Sequence, residues 1–338
     1  MLERGFNVTK TQFNSRGSQQ IFEQMTSDVD ALAAVLRASR RLTEHAVLDH
    51  HSHCQNQKQT RSQKMARPFF ALEWNGTSTM QSAVTRANVP KMTMPYRSFA
   101  LLYDALLGNA MFPLVRRNFE WLVRRYGIRF RSAADVACGT GAFVRYLCQW
   151  GVPVLGVDRS LAMLRIAEQK NGENGARFLR QDLRQLQLPY PVDLITCHFD
   201  SLNYLLSTRD LLEALCQFRA NLTRGGHAIF DMVTDVSPEP KLSVSVQRFN
   251  LPGVSSIWAI AQDPARKLRV VTMHNFFAIG AGKYRREREV HAQRQYPVGV
   301  VVELLVRCGF NVCGVHDAAS FVAATPRTYR AIYLARNL

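Results

Sequence analysis

The chain has 338 residues, 47% of them hydrophobic and 20% charged, with a formal net charge of +17. No run approaches the roughly 18 apolar residues that a membrane-spanning helix needs, and the polar first stretch holds no secretory signal, so a transmembrane or exported protein is not expected. The basic excess leaves open a polyanionic partner such as RNA, but the arginines are spread along the chain in short pairs such as Arg116-Arg117, Arg124-Arg125 and Arg285-Arg286, as on a solvated surface.

Seven cysteines occur without a C-x-x-C pair or a zinc-ligand spacing. That odd, unpatterned set reads as reduced thiols in a cytoplasmic protein with no metal centre.

Residues 1–93 are dense in Gln, Ser, Asn and Thr and show no strand-helix alternation. Within them Phe22, Met25, Val29, Leu32 and Leu36 recur at gaps of three and four, so about 18–47 reads as one amphipathic helix in a weakly ordered extension. The tract Asp49 to Cys54, "DHHSHC", has metal-ligand residue types but sits in a polar tail, where such tracts are usually solvated. The patterned domain is expected over 94–338, beginning beside Met92 and Met94.

From Tyr96 two segments carry helical spacing, "YRSFALLYDALL" and "FPLVRRNFEWLVRRYG". Strands are then expected at 132–137, 153–158, 176–180, 192–199 and 227–233, with helices at 141–150, 160–170 and 208–223 between them. Apolar strands alternating with amphipathic helices predict an α/β fold, a doubly wound and mostly parallel seven-stranded sheet. After strand five the alternation stops. Residues 238–296 read as an antiparallel β insertion of two hairpins, with turn signals at Asp263-Pro264 and Gly280-Ala281-Gly282. The helix "VGVVVELLVRCGF" and the strands "NVCGVHD" and "TYRAIYLAR" complete the main sheet.

The first strand runs into "DVACGTGAF", Asp135 to Phe143. Gly139 and Gly141 allow a tight turn and a close ligand approach, and the amides that open the next helix face the same space. A G-x-G loop alone is weak evidence. Asp158 at the end of strand two adds a carboxylate able to accept from both hydroxyls of an adenosine ribose. Asp182 after strand three can reach an adenine amino group, with Leu183 against the ring.

These residues resemble the class I S-adenosylmethionine-dependent methyltransferases. "DVACGTG", "VDRSLAML", "RQDL", "DLITCHFDSLNYLL" and "LTRGGHAIFDM" follow that family's successive motifs in order and spacing. "YRSFALLYDAL", "EVHAQRQY" and "LLVRCGF" look like a bacterial subgroup that acts on small molecules and carries a β insertion over the acceptor pocket. The resemblance implies S-adenosylmethionine as cofactor. It implies that Ala137, Gly139 and Gly141 line the methionine portion, with Thr140 between them and Asp135 bracing the loop. Asp158, with Arg159 beside it, would hold the ribose, and Asp182 and Leu183 the adenine. Phe199 closes one side, and Tyr96 and Tyr103 cap the cofactor. A nicotinamide oxidoreductase fits less well, because the third glycine of G-x-G-x-x-G and a Tyr-x-x-x-Lys pair are missing.

Methyl transfer from a sulfonium is an in-line displacement that needs alignment and exclusion of water, and a base only where the acceptor arrives protonated. The expected catalytic residues are His291, Asp200 and Tyr103. Histidine leads because its ordinary pKa lies near neutrality. His198, Asn203 and Tyr204 after strand four, with Arg294 and Tyr296 on the insertion, are expected to bind the acceptor. Glu289 shares a strand face with His291 by the period of two. No Asp/Asn-Pro-Pro-aromatic tetrapeptide, the motif that orients nucleobase amines, follows strand four. The expected activity is therefore methylation of N or O on a small molecule, with an RNA methyltransferase and a non-catalytic cofactor-binding module as alternatives.

Overall fold

Short apolar strands separated by one-sided helices can bury both kinds of surface only as a covered parallel sheet. The computed structural model describes residues 95–338 apart from 174 and 237–242. All of them belong to the second of two units, Met92–Leu338. The amphipathic segment 18–47, the tract 49–54 and the start of the patterned domain near Met94 lie outside the described residues.

Seven strands form the main sheet: β1 (Ala133–Val136), β2 (Val154–Asp158), β3 (Arg177–Arg180), β4 (Val192–Cys197), β5 (Leu222–Val233), β10 (Phe310–Asp317) and β11 (Arg330–Asn337). Their order is β3-β2-β1-β4-β5-β11-β10, parallel except for β11, which runs antiparallel to both neighbours. Among the described residues five α-helices cover it: α1 (Asn109–Tyr126), α2 (Ala142–Cys148), α3 (Leu161–Asn171), α4 (Thr208–Ala220) and α5 (Val298–Arg307). On one face Phe218 of α4 and Leu305 of α5 pack fully buried on Ala134, Ile195 and Phe230. On the other, Phe119 of α1 and Leu147 of α2 pack on Ala133, Leu194 and Ile332. Burying one such aliphatic or aromatic side chain contributes about 1.5–3 kcal/mol, so alternate residues of each central strand tie the two helix layers to one sheet.

Three local expectations change. The first helical segment is broken into a 3-10 turn, Phe99–Leu101, and a π-helical turn, Asp104–Gly108, before α1 begins. The helix expected to reach residue 223 stops at Ala220, because Asn221 caps it. The Asn221 side chain donates to Gln217 O and Leu186 O and accepts from the Leu188 amide, which turns the chain straight into β5. The cysteines are not all reduced: Cys216 on α4 and Cys308 after α5 form a disulfide with Cα atoms 5.0 Å apart. That pair is 92 residues apart, so only the packing of α4 beside α5 reveals it.

The insertion is one four-stranded antiparallel sheet in the order β6-β7-β8-β9, with β6 at Ser243–Leu251, β7 at Val254–Asp263, β8 at Leu268–Gly280 and β9 at Lys283–Arg294. Its two hairpins are joined by pairing of β7 with β8. β9 is exposed at Lys283–Arg286 and buried from Glu289 to His291. Among the described residues no helix is long and apolar enough to cross a membrane.

Candidate active site

The strand order reverses beside β1, between β2 on one side and β4 on the other, and this is where an open α/β sheet leaves a crevice at its carboxyl edge. The loop leaving β1 coils tightly there: Ala137, Gly139 and Gly141 all have positive φ, at 56°, 55° and 76°. The two glycines serve different ends. A Cβ on Gly139 would meet only the Tyr103 ring, at 4.0 Å, so that side is open. A Cβ on Gly141 would lie 2.6 Å from Asn171 Nδ2 and 3.0 Å from Ala167 Cβ, so this glycine lets α2 pack on α3. Gly141 is not among the residues lining the crevice, in contrast to its expected place beside the cofactor.

The crevice encloses about 1110 Å³, part of it open to solvent, and all three strand-end acids line it. They are held differently. Asp158 accepts from the Gly139 amide at 2.9 Å and the Ser160 amide at 2.7 Å; burial pushes its pKa up and these hydrogen bonds oppose the rise. Asp135, 3% exposed, accepts from Thr196 Oγ1 at 2.7 Å, and burial raises its pKa to about 6 against the opposing pull of His198 and Thr196. Asp182 is gripped through both oxygens by Arg184, each at 2.9 Å, a hydrogen-bonded ion pair that lowers its pKa. Arg184 is a partner the sequence reading did not supply. Leu183, Arg159, Thr140 and Ala137 also line the crevice. Thr140 donates to Asp104 at 2.6 Å, fixing the loop to the π-helical turn.

Aromatic rings roof the crevice. Tyr96, Tyr103, Phe199 and Tyr204 all line it, with Tyr96 edge-on to Tyr103 at 5.8 Å and Tyr103 edge-on to Phe199 at 6.4 Å. Tyr96 holds a left-handed φ of 61°. Its carbonyl accepts from Ser160 Oγ at 2.9 Å, its amide donates to Glu289 at 2.8 Å, and its hydroxyl meets that of Tyr204 at 2.8 Å. Such a conformation persists in a bulky residue only where its surroundings fix it, and here three contacts do so.

Phe199 and Asp200 are likewise both left-handed, at 59° and 49°. Asp231 of β5 pins them, accepting from the Phe199 amide at 2.9 Å and the Asp200 amide at 3.2 Å. Burial would raise the Asp231 pKa, but the Arg330 guanidinium and His198 together outweigh it and hold the group at about 2. Arg330 also binds Asp200 at 2.6 Å, and Gln293 donates to the other Asp200 oxygen at 2.5 Å. Asp200 therefore lies outside the crevice lining, saturated by partners, and does not stand free as the expected catalytic group. Sequence reasoning missed Asp231 and Arg330. The signal was available: a charge inside an apolar strand such as "IFDMV" has to be paired.

The remaining expected residues divide. His198 lines the crevice, with Nδ1 3.6 Å from Asp231. Asn203 donates to Val233 O and Arg294 O, Arg294 to Leu206 O, and the buried Tyr296 hydroxyl to Leu205 O. None of these three lines the crevice; they fasten the end of the insertion to the turn after β4 instead of facing an acceptor. His291 is also set back, 2% exposed, behind the Tyr96 and Tyr204 rings. Its Nδ1 lies 2.8 Å from Tyr204 Oη and its Nε2 3.1 Å from Glu289. Glu289 further accepts from the Ser98 amide at 2.5 Å, Ser98 Oγ at 2.7 Å and the Phe99 amide at 2.7 Å. Burial would raise the Glu289 pKa; the hydrogen bonds from His291, Phe99 and Ser98 prevail and hold it at about 2.

A glycine-turned loop, carboxylates on successive strand ends and a crevice at the switch point define an adenosyl-cofactor site of the doubly wound class. A family model for a methyltransferase domain matches residues 133–226. The chain is 30% identical over 226 residues to "Putative methyltransferase YqeM" of Bacillus subtilis (strain 168), covering 65% of this chain and 87% of that protein. It is 34% identical over 110 residues to the dTDP-3-amino-3,6-dideoxy-alpha-D-glucopyranose N,N-dimethyltransferase of Streptomyces fradiae, covering 32% and 42% of the two chains. Among solved structures, a S-adenosylmethionine-dependent methyltransferase from Clostridium acetobutylicum ATCC 824 aligns with a TM-score of 0.62 at 27% identity, over 71% of this chain and 98% of that one. The chain belongs to the class I S-adenosylmethionine-dependent methyltransferases, and S-adenosylmethionine is its cofactor.

Proposed function

We propose that the protein methylates a nitrogen or oxygen of a small-molecule acceptor, bound between the strand ends and the aromatic roof. The observation that carries this reading is the single crevice lined by Asp135, Asp158 and Asp182 below and by Tyr96, Tyr103 and Tyr204 above. The donor set suits the cofactor. Asp158 would take the ribose hydroxyls, and Asp135, a buried carboxylate lining the crevice, the methionine ammonium. Leu183 would lie against the adenine, with Asp182 at the ring edge. The π faces of the roof would favour a sulfonium cation. When bound, the cofactor supplies an activated methyl group. The chain's own residues align the acceptor with it, keep water out and receive the acceptor's proton.

An amino-sugar N,N-dimethyltransferase among the relatives supports an acceptor of metabolite size. The charge of +17 alone favours RNA, and no motif for orienting a nucleobase amine accompanies it. We assign the reaction to residues 94–338, with 1–93 as an extension, and place it in the cytoplasm. The Cys216–Cys308 disulfide runs against that compartment, where such bonds are rare, and thiol mapping of protein from its native host decides the point.

The test is release of S-adenosylhomocysteine by the full chain against a panel of amino sugars, other amines, phenols, alcohols and total RNA. Turnover with an amine or hydroxyl compound, and none with RNA, is expected. Turnover with RNA alone overturns the acceptor class, and RNA binding that weakens steeply with salt would accompany it.

A further inference from the structure

His291 is the residue best suited to accept a proton, yet two phenol rings separate it from the crevice. We infer that Tyr96, Tyr204, His291 and Glu289 form a directional proton wire, with Tyr96 as the group that takes a proton from the acceptor and His291 as the group that stores it. This rests on the proposed methylation of a small molecule and names the residues that handle its proton.

The direction of the wire follows from one carboxylate. Glu289 receives hydrogen bonds from the Tyr96, Ser98 and Phe99 amides and from Ser98 Oγ, and it stays ionised. An ionised carboxylate only accepts, so the imidazole nitrogen facing it, Nε2, carries a hydrogen. In a neutral ring Nδ1 is then an acceptor, and the Tyr204 hydroxyl must donate to it. With its proton committed, Tyr204 Oη can only accept in its contact with Tyr96, so the Tyr96 hydroxyl donates to Tyr204. Every hydroxyl points inward. The Tyr96 oxygen is left with free lone pairs where its residue borders the crevice.

A proton can therefore move from acceptor to histidine without a tyrosinate being formed first. The acceptor's N–H or O–H bond breaks as Tyr96 Oη takes that proton and passes its own to Tyr204. Tyr204 passes its proton to His291 Nδ1, where one N–H bond forms, and the imidazolium rests against Glu289. The electron pair left on the acceptor bonds the incoming methyl group, whose bond to the cofactor's sulfur breaks with that electron pair going to the sulfur. Concerted transfer also fits the tyrosines themselves, because burial pushes the Tyr96 and Tyr204 pKa values up and makes a standing phenolate unfavourable. The groups facing the imidazole are Glu289 on its own strand, Tyr204 from the turn after β4, and Tyr96 and Phe99 from the N-terminal segment. Val271 lies opposite it on β8, and Asp200 and Arg269 act electrostatically on Tyr204. In this arrangement Tyr96 is a catalytic residue, and Tyr204, His291 and Glu289 act through it.

The first test needs no acceptor. The full chain is labelled with 15N-histidine, and long-range 1H–15N spectra are recorded at neutral pH, with the His291 signals assigned by their loss in His291→Gln among the nine histidines. The expected result is the Nε2–H tautomer with a hydrogen-bonded Nδ1. Tyr204→Phe should shift the Nδ1 resonance toward a free imine nitrogen and leave Nε2–H in place. An Nδ1–H tautomer, an imidazolium at neutral pH, or an unmoved Nδ1 in Tyr204→Phe overturns the wire. The second test uses an acceptor found in the release panel. Tyr96→Phe, Tyr204→Phe and His291→Gln should each lower kcat roughly 10²-fold, the low end of general-base loss, with cofactor affinity kept, and pairs of them should be no worse than one. Additive losses, or a change in KM alone, overturn it. A panel without turnover counts against the proposed acceptor class and leaves the spectra to decide the wire.

Discussion

The two halves of the crevice are built by different means. Below, the cofactor half is made by backbone: a left-handed loop, strand ends and helix openings, with carboxylates a few residues from the turns they serve. Above, the half proposed to take the acceptor is made by side chains that meet across long separations, as when Glu289 takes the amide of Tyr96, 193 residues away. A backbone-made site leaves a spaced motif in the sequence. A side-chain network leaves only residue types, without saying which meet.

The largest effect expected from breaking this contrast lies at the junction of the halves. Arg330→Met would remove the guanidinium that both Asp200 and Asp231 bind, Asp231 being 5% exposed, and should cost about 3–5 kcal/mol in denaturant unfolding. A loss below about 1 kcal/mol would mean that this ion-pair group is not what holds the Phe199–Asp200 turn. Next come the glycines. Gly141→Ala meets both an unfavourable φ and the 2.6 Å approach of Asn171, and should destabilise the fold by about 2–4 kcal/mol. Gly139→Ala meets the φ penalty of about 1–2 kcal/mol alone, and its main effect should be on cofactor affinity. Equal stability losses would erase the distinction between packing glycine and crevice glycine.

The smallest effect expected is a proton linkage. Burial raises Asp135 from the ordinary 3.8 to about 6, so below that pH the carboxyl is protonated in the free protein. A cationic group bound beside it favours the ionised form. Cofactor binding should therefore release a proton below about pH 6, tighten as pH rises toward that value and level off above it. Calorimetry in buffers of different ionisation enthalpy reads this directly. Proton uptake on binding, or none at pH 5, would separate Asp135 from the cofactor.

Much of the fold was legible because it rests on local pattern. The apolar strands, the helix faces and the β insertion declare themselves through periods of two and 3.6. The exceptions have physical causes. Helix α4 ends early because one asparagine satisfies three backbone groups, which no periodicity encodes. The disulfide depends on two helices lying side by side. In the crevice, Asp135, Asp158 and Asp182 were readable from their place at strand ends, and all three line it. Asn203, Arg294 and Tyr296 were readable as polar or aromatic residues near the proposed acceptor side, but their partners are backbone carbonyls, Arg294 O and Val233 O for Asn203, Leu206 O for Arg294 and Leu205 O for Tyr296, and make them fasteners. His291 was visible as a histidine in the right strand. That it reaches the crevice only through two tyrosines was not.

The central claim is that the strand-end carboxylates grip the cofactor. Isothermal titration of the full chain with S-adenosylmethionine, beside Asp158→Ala, tests it most directly. One site per chain is expected, weakened in the variant by about 1–3 kcal/mol for the lost charged hydrogen bonds. Undiminished affinity in a folded Asp158→Ala protein would contradict the account.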